Sequence, residues 1–102
     1  MIRWMRSARI APGKAAEAIQ FSTQIVEYTK KKYEGAVDTG VFADSFGEVG
    51  TIRWYADYAD FATWEKVQNQ IVADPEWWQK MDAIKDLFIP GTVHDVVMRS
   101  LK

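Results

Sequence analysis

The chain has no cysteine, a single histidine and only three prolines among its 102 residues. Without thiols there can be no disulfide, no thiolate nucleophile and no cysteine-ligated metal. One histidine cannot build a multi-histidine centre, and the Asp and Glu positions show no ligand spacing of the usual kinds, so no metal is expected. An excess of one charge is also missing. Thirteen Lys and Arg face fourteen Asp and Glu, for a net charge of −1. That balance, with no basic stripe interleaved with aromatics, argues against a nucleic-acid partner. No apolar run approaches the ~20 residues of a membrane span. The opening MIRWMRSARI scatters arginines where a signal peptide needs continuous apolar sequence. The expectation is a cytoplasmic protein with neither a membrane nor a nucleic-acid partner. Gly40, Gly47 and Gly50 follow no phosphate-loop spacing, and no Ser-His-Asp order rises above coincidence.

What is present in quantity is aromatic surface, with five Trp, four Tyr and five Phe. A chain of this length is expected to form one domain, residues 1–102. A domain so small has little interior in which to hide that many rings, which points to a pocket or a subunit interface.

Residues 2–10 alternate: Ile2, Trp4, Ala8 and Ile10 fall on one face, Arg3, Met5, Ser7 and Arg9 on the other. This period of two predicts a half-buried strand, with Arg6 the one misfit in the apolar row. After Pro12-Gly13 the period becomes helical. Ala18, Ile19, Ser22, Ile25, Val26 and Tyr33 share a face from about Ala15 to Tyr33, and Lys30, Lys31 and Lys32 suit the negative end of the helix dipole. Gly35 is a natural stop. Two further strands are predicted over Val37–Phe46 and Val49–Tyr58, joined by a short link at Phe46-Gly47-Glu48 as an antiparallel hairpin. Asp60 can cap a helix from Phe61 to Ala73. Asp74-Pro75 then restarts the chain, Asp74 as cap and Pro75 in the first helical position, for a helix running to Phe88. Within it Trp77, Met81, Ile84 and Phe88 form a narrow stripe, so Trp77 reads as a core anchor. Trp78 lies at the stripe's edge, available to a neighbouring loop or subunit. Thr92–Leu101 is the last strand expected.

The predicted order, β-α-β-β-α-β with a broken second helix, is that of a ferredoxin-like α+β fold with an antiparallel sheet. Three local stretches sharpen this: Ile10-Ala11-Pro12-Gly13-Lys14 before the first helix, Arg53-Trp54-Tyr55 leading to Asp60-Phe61-Ala62-Thr63-Trp64-Glu65, and Ala73-Asp74-Pro75-Glu76-Trp77. Together they resemble the dimeric α/β-barrel superfamily, in particular its NIPSNAP-like branch beside the antibiotic biosynthesis monooxygenase-like domains. The resemblance implies a homodimer in which two sheets face one another across a central barrel, with the helices outside. It also implies a small organic, aromatic or polyketide-like ligand in the barrel cavity. The superfamily uses one fold for many activities, so the activity has to be read from the site.

Arg53 and Tyr55 lie opposite Ile52, Trp54 and Ala56, and Arg3, Met5 and Ser7 take the same side of the first strand. Arg53 and Arg3 can hold a carboxylate or other oxyanion, while Tyr55 can donate a hydrogen bond or guide a proton. The alternative is that Arg53 pairs with an acid at the barrel rim or the dimer interface. His94, of the one residue type that titrates near neutrality, completes a candidate catalytic set of Arg53, Tyr55 and His94, with Arg3, Met5 and Ser7 as substrate contacts. Its face is left open by the pattern, because Val93/Val97 and Val96/Met98 can each serve as the apolar row. Asp38 and Asp44 share a face and can be weighed as an acid and base pair, although exposed Asp is common at strand ends. Three functions follow. The first is a cofactor-independent oxidoreductase or isomerase acting in the barrel. The second is a non-catalytic ligand-binding or assembly protein. The third is a haem degrader with His94 as axial ligand, disfavoured because such relatives are expected to carry that ligand on a helix. No cofactor is expected.

Overall fold

The alternation at the N-terminus and the helical period after Pro12-Gly13 each produce the element they predict. The computed structural model describes residues 1–102. It runs β1 (Ile2–Arg9), α1 (Ala15–Lys32), β2 (Ala36–Ala43), β3 (Thr51–Tyr58), α2 (Phe61–Val72), α3 (Pro75–Ala83) and β4 (His94–Arg99). The strands form one antiparallel sheet in the order β2-β3-β1-β4, the ferredoxin-like arrangement. The helices pack on one face of it. Ile52, 1% exposed, is at the centre of the core with Ala8, Ala18, Ile25, Trp54 and Leu87. Burial of those side chains against α1 is the main stabilising term of the helix layer.

Local chemistry sets most boundaries. Asp60 caps α2 by accepting from the Thr63 backbone N–H at 2.8 Å and the Thr63 hydroxyl at 2.7 Å. Pro75 opens α3 in the position where no N–H is needed. Gly35 ends the α1 region with φ +135°, and a Cβ there would meet Val67 Cγ2 at 3.0 Å. Both the backbone and the approach of α2 therefore require glycine.

Asp74 is more than a cap. Its buried carboxylate accepts from the Tyr28 and Tyr33 hydroxyls, from Lys32 Nζ at 3.0 Å and from the Glu76 N–H at 3.1 Å. The end of α1 is thereby tied to the start of α3. The hydroxyls of Tyr28 and Tyr33 hold the Asp74 carboxyl well below the usual carboxylate range. Burial, and then the bond to Asp74, push the Tyr33 phenol upward.

Four expectations need adjustment. Helix α3 ends at Ala83 instead of reaching Phe88. Past Met81 the chain turns so that Leu87 O accepts from Ala11 N at 2.9 Å and Ile89 N donates to Arg9 O at 2.8 Å. These bonds to the end of β1 bury Leu87 and replace further helix. The hairpin link is wider than Phe46–Glu48, spanning residues 44–50, because Gly47 at φ +83° and Gly50 at φ +94° leave extended conformation before Thr51. The last strand is shorter, His94–Arg99. Thr92 instead uses its hydroxyl to accept from Arg9 N at 3.1 Å and donate to Ile89 O at 2.6 Å. A bulge between Ala36 and Asp38 also shifts the register of β2, leaving Val37 largely exposed.

Candidate functional site

Directly opposed residues of an antiparallel pair share a face, so the register assembles the sheet surface that the helices leave uncovered. One row across β4, β1, β3 and β2 is His94, Ser7, Arg53 and Phe42. The next is Val96, Met5, Tyr55 and Gly40, and the third is Met98, Arg3, Asp57 and Asp38. All six residues singled out from the sequence, Arg3, Met5, Ser7, Arg53, Tyr55 and His94, thus lie on one face. The question left open for His94 is answered by its pairing with Ser7.

The charged members of this face do not stand free. Arg53 makes a bidentate pair with Asp44, both bonds 2.9 Å. Arg3 does the same with Asp57 at 2.7 and 2.9 Å, and Asp57 is only 4% exposed. The Tyr55 hydroxyl donates to Asp38 at 2.9 Å. Arg53 holds the Asp44 carboxyl below its ordinary value, and the bond to Asp38 raises the Tyr55 phenol. Phe42 stacks on the Tyr55 ring at 5.7 Å, and the Arg3 guanidinium lies 4.6 Å from the ring centre. Gly40 provides the room: a Cβ there would come within 2.6 Å of Tyr55 Cε1. Asp38 and Asp44 are acceptors for Tyr55 and Arg53 and not a paired acid and base. The surface is fitted, nearly charge-balanced and rich in bonds that fix its side chains.

A partly open cavity lies on the other side of the sheet. It separates the sheet from the helices with a volume of about 380 Å³, within the range of small-molecule sites. Trp4, Arg6, Trp54 and Ala56 form its floor. Phe21 and Ile25 of α1, Ile71 of α2 and Trp77 and Met81 of α3 form its roof. Twenty of its twenty-four lining residues are hydrophobic, and Arg6 is the only charged one. The α3 helix has no fully buried residue; Trp77 and Met81 are half-buried against the core while also lining the cavity. Two buried polar atoms in lining residues, Trp54 Nε1 and Thr39 Oγ1, have no protein partner. Both atoms are screened by their neighbours, so each is a polar cost inside the wall and not a group offered to an occupant. Trp64 Nε1 and Thr51 Oγ1 are also unpartnered but do not line the cavity.

Both adjacent tryptophans line the cavity, and Trp78, 53% exposed, also donates its indole N–H to Val72 O at 2.9 Å and satisfies the C-terminal end of α2. Sequence reasoning read the cavity's aromatic walls as core. The number of indoles pointed to a pocket or an interface, and the misplaced charge of Arg6 is the signal that could have located it. No group of three His, Asp or Glu side chains is placed to hold a metal ion, and His94 does not line the cavity. No helix is long and apolar enough to cross a membrane.

Solved structures share this fold. A NIPSNAP domain protein from Burkholderia xenovorans is 20% identical, with 98% of this chain and 94% of that one covered and a TM-score of 0.80. A NIPSNAP family protein of unknown function from Agrobacterium tumefaciens is 19% identical, covering 98% and 87%, with a TM-score of 0.79. An antibiotic biosynthesis monooxygenase is 14% identical, covering all of both chains, with a TM-score of 0.74. At these identities the likeness establishes the fold alone. No curated protein matches the chain significantly. The NIPSNAP family model matches residues 4–99, nearly the whole sequence, and the chain therefore belongs to the NIPSNAP family.

Proposed function

We propose that this protein binds a small organic molecule in the cavity between its sheet and its helices, and does so as a homodimer joined through the uncovered sheet face. The observation that carries the reading is the cavity itself: about 380 Å³, walled by indole and phenyl rings. Ring-lined space of this kind favours an apolar, ring-sized ligand through dispersion and release of water.

The same geometry favours binding over proton-transfer catalysis. No Asp, Glu or His lines the cavity, and burial raises the phenols of Tyr33 and Tyr58, its two most buried tyrosines. Neither supplies a base near neutral pH. Arg53, Tyr55 and His94 would act only on a ligand enclosed between two open faces. Their pairing with Asp44 and Asp38, for the first two, supports the role of a fixed, charge-compensated seam between subunits. A cofactor-independent oxygenase or isomerase is the second reading, favoured by the fold shared with an antibiotic biosynthesis monooxygenase.

The test is titration with the neutral fluorophore N-phenyl-1-naphthylamine, which brightens in apolar surroundings. Saturable binding of one probe per chain is expected, with quenching of Trp4, Trp54 and Trp77. Met81→Trp, which fills the roof, should abolish binding while leaving the circular dichroism unchanged. Absence of saturable binding, or binding indifferent to Met81→Trp, refutes the cavity as the ligand site.

A further inference from the structure

The row of β1 that faces the helices reads Ile2, Trp4, Arg6 and Ala8, and an arginine interrupts it where an apolar residue would pack better. Arg6 stands opposite Trp54 on one side and Asp95 on the other. Its guanidinium lies 5.4 Å from the Trp4 ring centre, and both residues line the cavity. Nε and Nη2 donate to the two Asp95 oxygens at 2.7 and 2.9 Å. This planar fork is the geometry that recognises any carboxylate-like group.

Three arginines make bidentate pairs in this protein, and they differ in what holds the acid. The acid partner of Arg3 is 5% exposed and that of Arg53 is 15% exposed, whereas the Asp95 side chain is 41% exposed. All of β4 is exposed on both faces, so the Arg6 pair sits at an uncovered edge. Exposed pairs contribute little, and Asp95 can turn into solvent at small cost. An incoming anion would keep every bond to Arg6 and would also bring apolar surface into the cavity, which Asp95 cannot. Across the sheet, Thr39 lies two strands over and two residues along from Arg6, roughly 12 Å between backbones. That span suits a body of two or three rings.

We infer that the cavity's ligand is an amphipathic organic anion, with an apolar ring-sized body under the helices and an acidic head group that takes the place of Asp95 on Arg6. The inference rests on the cavity being the ligand site. Binding exchanges one ion pair for another, so affinity depends on the competition between ligand and Asp95 for a single guanidinium. A neutral ligand of the same shape gains only the apolar part.

The experiment compares two probes of nearly identical body, 1-anilinonaphthalene-8-sulfonate and N-phenyl-1-naphthylamine, which lacks the sulfonate. The anion should bind the wild-type protein more tightly. Arg6→Gln should weaken the anion about tenfold or more and change the neutral probe less than about threefold. Asp95→Asn removes the competitor and should tighten the anion, an effect in the opposite direction that loss of folding cannot imitate. Binding of the neutral probe with an anion affinity insensitive to both substitutions overturns the inference and leaves the cavity reading standing. Failure of both probes to saturate overturns the two together.

Discussion

Trp54→Phe separates an unmet polar group from ordinary core packing. Trp54 is 9% exposed, meets Phe88 edge to face at 5.4 Å, and carries a buried indole N–H without a protein partner. Phenylalanine keeps a ring for the Phe88 contact but has two fewer carbons to bury, a loss of about 1.6 kcal/mol at ~0.8 kcal/mol each. Removing a buried donor that has no acceptor relieves about 1–3 kcal/mol. The two effects oppose, so the net change in stability should be within about 1.5 kcal/mol of zero and can be stabilising. An ordinary buried tryptophan cut to alanine costs about 3–5 kcal/mol, which marks how unusual a neutral truncation would be. Urea unfolding of both proteins, at one chain concentration because the proposed dimer would couple to folding, measures the difference. Destabilisation beyond about 2 kcal/mol would refute the reasoning. It would mean that the N–H makes a bond that phenylalanine loses.

Two further outcomes test the frame around the cavity. The Asp74 carboxyl is held below its ordinary value, so its contribution to stability is complete above about pH 4 and is lost as the pH falls through the lowered folded value. Asp74→Asn should therefore melt at lower temperature near neutrality and show a flatter acid limb than wild type; parallel melting curves from pH 7 down to 2 would contradict that. Phe42 is 62% exposed on the open sheet face, where the proposed second copy would cover it. Wild-type protein should sediment at about twice 11.7 kDa and Phe42→Asp at 11.7 kDa, with unchanged circular dichroism. A Phe42→Asp protein that keeps the doubled mass places the interface elsewhere.

Much of the fold was readable in residue order because its signals are local. The alternation from Ile2 to Ile10, the apolar stripe from Ala18 to Tyr33 and the caps Asp60 and Asp74 each act within a few residues, and each element appears where they put it. The helix after Pro75 is shorter than its stripe, which continues through Ile84 and Phe88. Beyond it the backbone bonds instead to Arg9 and Ala11, more than seventy positions away. The β2 bulge was likewise invisible, being a matter of pairing and not of pattern.

The sequence by itself determined which side chains share a face: a period of two requires Arg3, Met5 and Ser7 to point together, and likewise Arg53 and Tyr55. It also marked Arg6 as a charge in an apolar row. Only the tertiary structure decided what those groups meet. Asp38, Asp44 and Asp57 reach Tyr55, Arg53 and Arg3 through strand pairing, which converts apparent oxyanion binders into satisfied pairs. The start of α3 is tied to α1 through Asp74, and the chain after it to the end of β1 through Leu87, both by contacts distant in sequence. No local pattern encodes a gap, because a side chain lining a cavity and one packed in a core have the same hydrophobic period.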